Sequence, residues 1–98
     1  MSWYDFVMER FASPIGEVEL TDERERHIME FHPEMRLYRR YFSEAIARPD
    51  TIRRSVFDPQ VRILYHFLKH ADKYLAIVIK TNHRKFILTA YFTHKIKH

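Results

Sequence analysis

The chain has 98 residues, 46% of them hydrophobic and 15% aromatic, which is material for one modest core and a single domain over residues 1–98. One glycine and no cysteine exclude glycine-rich nucleotide loops, disulfide scaffolds, thiolate metal sites and a cysteine nucleophile. The formal charge of +4 conceals an asymmetry: residues 1–50 carry 7 basic against 11 acidic side chains, and residues 51–98 carry 10 against 2.

In chain order, Met1–Phe11 mixes apolar and charged positions without a clean period. Ser13-Pro14-Ile15-Gly16 is a turn signal, and Glu17–Leu20 alternates like a short edge strand. Thr21 or Asp22 suits an N-cap, followed by acidic Glu23 and Glu25 at the positive end of a helix over Asp22–Phe31. His32-Pro33-Glu34 interrupts that helix, because proline removes a donor and clashes in a helix interior. A second helix from about Pro33 to Ala47 places Tyr38, Tyr41, Phe42, Ala45 and Ile46 on one stripe.

Beyond Pro49 the period changes from helical to alternating. Thr51–Val56 fits a short extended segment, and Asp58-Pro59 a turn. Strands are expected over Val61–Leu68, Tyr74–Lys80 and Phe86–Thr93, the last running on towards Lys95, with a hairpin turn at Thr81–Arg84. The expected architecture is α+β, with two N-terminal helices packed on one face of a roughly four-stranded antiparallel sheet. The longest apolar run, Tyr74–Ile79, is too short to span a bilayer. Met1–Asp5 lacks the basic start and apolar stretch of a secretory signal, so a cytoplasmic protein with no membrane association is expected.

The basic second half suits a polyanionic partner, nucleic acid being the commonest, although the two halves could equally neutralise each other in the fold. The alternation of the last strand puts Phe86, Leu88, Ala90 and Phe92 on the core face and Lys85, Ile87, Thr89, Tyr91, Thr93 and Lys95 on the other. Hydroxyls and ammonium groups on one face can donate to phosphate oxygens, but threonine and tyrosine are also ordinary on solvated strands. Lys80, at the end of the central strand, could stabilise a pentavalent phosphorane or simply snorkel. Arg53, Arg54 and Arg62 add positive charge near the same sheet.

His27 and His32, five residues apart around a helix end, could divide base and acid work near neutral pH; the alternatives are a capping His32 and a half-buried His27. No histidine pattern has metal-ligand spacing, and no cofactor motif is present, so neither a metal nor a cofactor is expected. The chemistry that suits this inventory is metal-free RNA cleavage, in which the substrate's own 2′-hydroxyl is the nucleophile.

The order of motifs carries a resemblance. Leu20-Thr21-Asp22-Glu23-Arg24-Glu25-Arg26-His27-Ile28 is followed by His32-Pro33-Glu34, Pro49-Asp50-Thr51-Ile52, Ser55, Tyr65 and Val78-Ile79-Lys80. The closing segment is Thr89-Ala90-Tyr91-Phe92-Thr93-His94-Lys95-Ile96-Lys97. From about Pro14 onward this resembles the small phage-associated domains of the barnase–EndoU–colicin–RelE nuclease superfamily. The resemblance implies N-terminal helices followed by an antiparallel sheet of about four strands. It also implies metal-independent endoribonuclease activity, as a toxin held by an antitoxin or immunity protein or as a domain of a phage protein. The matching positions would make His27 the general base or acid, His32 a second candidate, and Lys80 with Thr89 the phosphate contacts, with Thr93 beside them.

RNA contacts would come from Arg53, Arg54, Tyr65, Tyr91, Thr93 and Lys95, an aromatic ring stacking on an unpaired base of a tRNA or mRNA. A different reading is a catalytically silent RNA- or protein-binding module on the same fold. A third uses the aromatic residues of Trp3–Phe11 for oligomerisation.

Overall fold

The computed structural model describes residues 6–96. Strands β1 (Val7–Phe11) and β2 (Val18–Thr21) come first. Helix α1 (Asp22–Phe31) follows β2 directly. Next comes a helical stretch made of α2 (Met35–Tyr38), a 3-10 turn (Arg39–Tyr41) and α3 (Phe42–Ala47). Strands β3 (Thr51–Arg54), β4 (Val61–Leu68), β5 (Lys73–Thr81) and β6 (Lys85–Thr93) complete the order.

The six strands form one sheet in the order β1-β2-β6-β5-β4-β3. All neighbours are antiparallel except β2 and β6, which run parallel through Val18↔Lys85 and Glu19↔Phe86. This corrects the expectation of N-terminal helices on a roughly four-stranded antiparallel sheet: two strands precede the helices, and the sheet is six-stranded and mixed. The missed strand β1 is short and exposed at three of its five residues, so it shows no alternation to read. The parallel pairing joins residues far apart in sequence and leaves no local pattern. The aromatic segment beginning at Trp3 lies partly outside the described residues.

The local chemistry explains each element. Thr21 is the N-cap of α1, its Oγ1 accepting from the backbone N–H of Arg24 at 3.2 Å, and Asp22, Glu23 and Glu25 occupy the first turn. His32 ends α1 by donating its backbone N–H to Ile28, just before Pro33. Gly16 closes the β1–β2 turn with φ of 112°, a conformation that suits glycine.

The core lies between the sheet and the helices. Leu20, Ile28, Met35, Phe42, Ile46, Leu64, Leu75, Ile77, Ile79 and Ile87 are all fully buried there. Arg39 ties the layers at one side: it donates to Glu9 of β1 and Glu25 of α1, each at 2.7 Å, and lies over the rings of Phe11 and Phe42. Burial opposes its charge, but the two carboxylates outweigh this and hold its pKa above the ordinary arginine value. At the other edge of the sheet, β3 presents Arg53 and Arg54, charges that also discourage edge-to-edge pairing. No helix among the described residues is long and apolar enough to cross a membrane.

Candidate active site on the face opposite the helices

The strand registers lay out the sheet face away from the helices as rows. One row runs Thr51–Tyr65–Ala76–Tyr91, and the next Arg53–Ile63–Val78–Thr89. Phe67, Tyr74 and Thr93 form a third row, and Val61, Lys80 and Phe86 a fourth. Thr89 and Arg53 therefore stand at opposite ends of one row, three strands or about 14 Å apart.

A bulge lies between Val78 and Ile79 of β5 and their β6 partners, around Leu88. It shifts the alternation of β6, which corrects the expected faces for half of that strand. Ala90 is buried in the core and Phe92 packs on it, while Thr89, Tyr91 and Thr93 share the other face, as alternation predicts. Before the bulge the order flips: Ile87 is buried in the core, and Phe86 stands across from Lys80 on the opposite face. Lys95 lies past the end of β6, where the Thr93 hydroxyl donates to the Lys95 carbonyl at 3.0 Å and turns the chain.

Helix α1 runs beside β6 where β2 has left it. The Arg24 guanidinium donates to the Leu88 carbonyl through Nε at 3.1 Å and Nη2 at 2.6 Å. Arg24, His27 and Phe31 recur at i, i+3 and i+7, so the side of α1 that holds Leu88 also carries His27. His27 packs on Phe31, ring centroids 4.6 Å apart. One turn farther, the His32 ring lies 6.1 Å from that of Tyr91, and its Nδ1 is 3.8 Å from Glu34. Of the two histidines, His32 is thus beside Tyr91 of β6, while His27 packs within α1 one turn from Arg24.

Tyr91 is a neutral donor at working pH. Burial raises its phenol pKa above 10.0, and neighbouring Tyr65, which shares a hydrogen bond with it, raises it further. Tyr65 itself is fully buried in the middle of the row, so the aromatic surface on this face comes from exposed Phe67 and half-buried Tyr74, Phe86 and Tyr91. Lys80 is held by Asp58, Nζ to Oδ2 at 2.5 Å. The Lys80 hydrogen bond, with a second from the Gln60 N–H, lowers the Asp58 pKa below 3.8. An ammonium has three donors, so Lys80 keeps two for another acceptor. Arg53 is half-buried, and its Nε has no hydrogen-bond partner among the described residues. Arg54, on the edge strand, is exposed.

The sequence reading did not single out Arg24, Asp58 or Phe86. Asp58 was readable only as a turn residue, and no local signal marks Arg24 as the partner of a carbonyl 64 residues away. Among the described residues, no three histidine, aspartate or glutamate side chains converge as metal ligands. No family model, curated protein or solved structure matches the chain.

Proposed function

We propose that the protein is a metal-independent endoribonuclease of the cytoplasm. The observation that supports this reading is the docking of α1 against β6, with Arg24 on the Leu88 carbonyl, His27 one turn farther along the helix and the His32 ring beside Tyr91. In the reaction, the RNA 2′-oxygen bonds to the adjacent phosphorus and the bond from phosphorus to the 5′-oxygen breaks. One histidine takes the 2′-hydroxyl proton, and the other delivers a proton to the departing 5′-oxygen. The Thr89 hydroxyl and the spare donors of Lys80 would face the phosphate, where charge accumulates in the transition state. Arg53 stands farther across the same face, in the row of Thr89, where its charge would attract the RNA backbone, whereas Arg54 alternates to the other side of β3.

The second reading, a silent RNA- or protein-binding module, is favoured by the Lys80–Asp58 pair, which already occupies the ammonium. A protein antitoxin would cover the same face under either reading. The deciding experiment incubates the protein with tRNA and a mixed single-stranded RNA in excess EDTA. Fragments ending in 2′,3′-cyclic phosphate, absent with His27→Ala, support the nuclease. RNA that stays intact beside a folded protein supports the module.

A further inference from the structure

A cleft of about 410 Å³ opens where β2 parts from β6, between the start of α1 and the β5–β6 turn. Its apolar walls are Val7 and Phe86; its polar walls include Glu19, Glu23, Arg24 and Arg84. Phe86 is the neighbour of Lys80 across the β5–β6 pair, and Arg24 lies one turn before His27 on α1. The cleft therefore adjoins the proposed site without sharing its histidines, Thr89 or Tyr91.

The charges select the ligand class. Two carboxylates stand among two guanidinium groups, so the cleft is close to neutral and repels a free phosphate as much as it attracts one. A neutral planar ring with donors and acceptors along its edge fits this lining far better than an anion does. Several walls are fixed before anything binds. Glu19 takes Arg84 at 2.8 Å and Arg10 at 3.5 Å, and Arg24 is anchored on Leu88. Glu23 is exposed, with no hydrogen bond or ion pair to another described residue, so its acceptors are open to a ligand. Preset walls reduce the ordering cost of binding.

We infer that this cleft is a nucleobase subsite, in which a base next to the cleaved phosphate stacks on Phe86 while Glu23 and the free N–H groups of Arg24 read its edge. The inference rests on the ribonuclease reading for its biological meaning, but the binding itself does not require catalysis.

The test is an NMR titration of the full chain with each of the four ribonucleosides and, separately, inorganic phosphate. At least one nucleoside is expected to shift the amides of Phe86, Glu23 and Arg24 with saturable binding, and phosphate is not. Phe86→Leu keeps apolar volume but removes the stacking face, and is expected to weaken that nucleoside about tenfold. Glu23→Ala, at an exposed position outside any described interaction, is expected to weaken it severalfold and guards against a folding defect in the first variant. No nucleoside binding at the cleft, or binding unchanged in both variants, overturns the subsite. Cleavage of RNA by a protein whose cleft binds no nucleoside sinks the subsite alone. Nucleoside binding by a protein that cleaves no RNA in EDTA sinks the ribonuclease reading alone.

Discussion

The guanidinium of Arg24 grips the backbone carbonyl of Leu88 through two of its nitrogens. Leu88 sits at a bulge on the side of β6 where no strand continues the ladder, so its carbonyl has Arg24 where a strand would have offered an amide. A side chain of one helix thereby finishes a sheet edge and aligns that helix with it. His27 follows Arg24 by one turn on the same side of that helix.

Replacing Arg24 with alanine leaves a half-buried carbonyl without this donor pair and loosens α1 from β6. The expected cost is about 1–3 kcal/mol, read as a lower urea midpoint with an unchanged slope. RNA cleavage is expected to fall as well. Arg24→Lys, which offers a single donor point, should recover part of the stability and less of the activity.

His27→Ala and His32→Ala are each expected to lower the cleavage rate about 10²–10⁴-fold, the usual range for removing a general acid or base. Both side chains are partly exposed, so the melting temperature should move little. If either variant retains the full rate, that histidine transfers no proton.

The Asp58 carboxyl is held below its ordinary value by Lys80 and Gln60 in the folded state. Its contribution to stability is therefore complete above the unfolded value of 3.8 and is lost as pH falls through the lowered folded value. Asp58→Asn should be less stable than the wild type at neutral pH, and the two should converge in strong acid. Denaturant midpoints from pH 7 to pH 2 would show this, about five pH units being enough to cover the window. Freeing Lys80 in the same variant should also tighten RNA binding at low salt.

The Tyr91 phenol is expected to ionise above the ordinary 10.0, since burial, the Tyr65 charge and the shared hydrogen bond all favour its neutral form. That stabilisation is complete below the unfolded value and disappears as pH rises through the raised folded one. Ultraviolet titration should place Tyr91 closer to 10.0 in Tyr65→Phe, but not all the way, because burial is the largest cause.

Gly16 holds φ of 112°, and a Cβ added there would come 3.4 Å from the Lys85 Nζ. A lysine tip can move aside, so the backbone conformation decides the outcome. Gly16→Ala should cost about 1–3 kcal/mol, the range for a residue forced into a sparsely populated backbone region. Each kcal/mol lowers the melting temperature of a domain this size by about 4–8 °C.

The parts of the fold readable in the sequence are those with local causes. The run Val61–Leu68 alternates and is β4; the Thr21 cap, the acidic first turn and Pro33 bound α1. The second helix is interrupted by a 3-10 turn at Arg39–Tyr41, where Arg39 reaches back to Glu9 and Glu25, partners that helical periodicity does not reveal. The bulge at Leu88 defeated strict alternation, so Phe86 and Ile87 exchange faces. Thr89, Tyr91 and Thr93 lie beyond the bulge and keep the faces alternation assigns them. The histidines could be named from composition and spacing, but their position depends on Arg24 and Leu88, a contact across 64 residues. Tyr65, expected to stack on an RNA base, is fully buried, because the neighbouring strands cover it and one strand's pattern does not describe them.

The parallel seam between β2 and β6 also orders the birth of the molecule on the ribosome. The meander from β4 to β6 closes through short turns, but β1, β2 and α1 have no sheet to join until β6, the final strand described, has been made. Until then α1 has no Leu88 to hold and His32 has no Tyr91 beside it. For most of its synthesis the nascent chain lacks the arrangement we assign to catalysis, which would spare the ribosome and tRNAs that are making it.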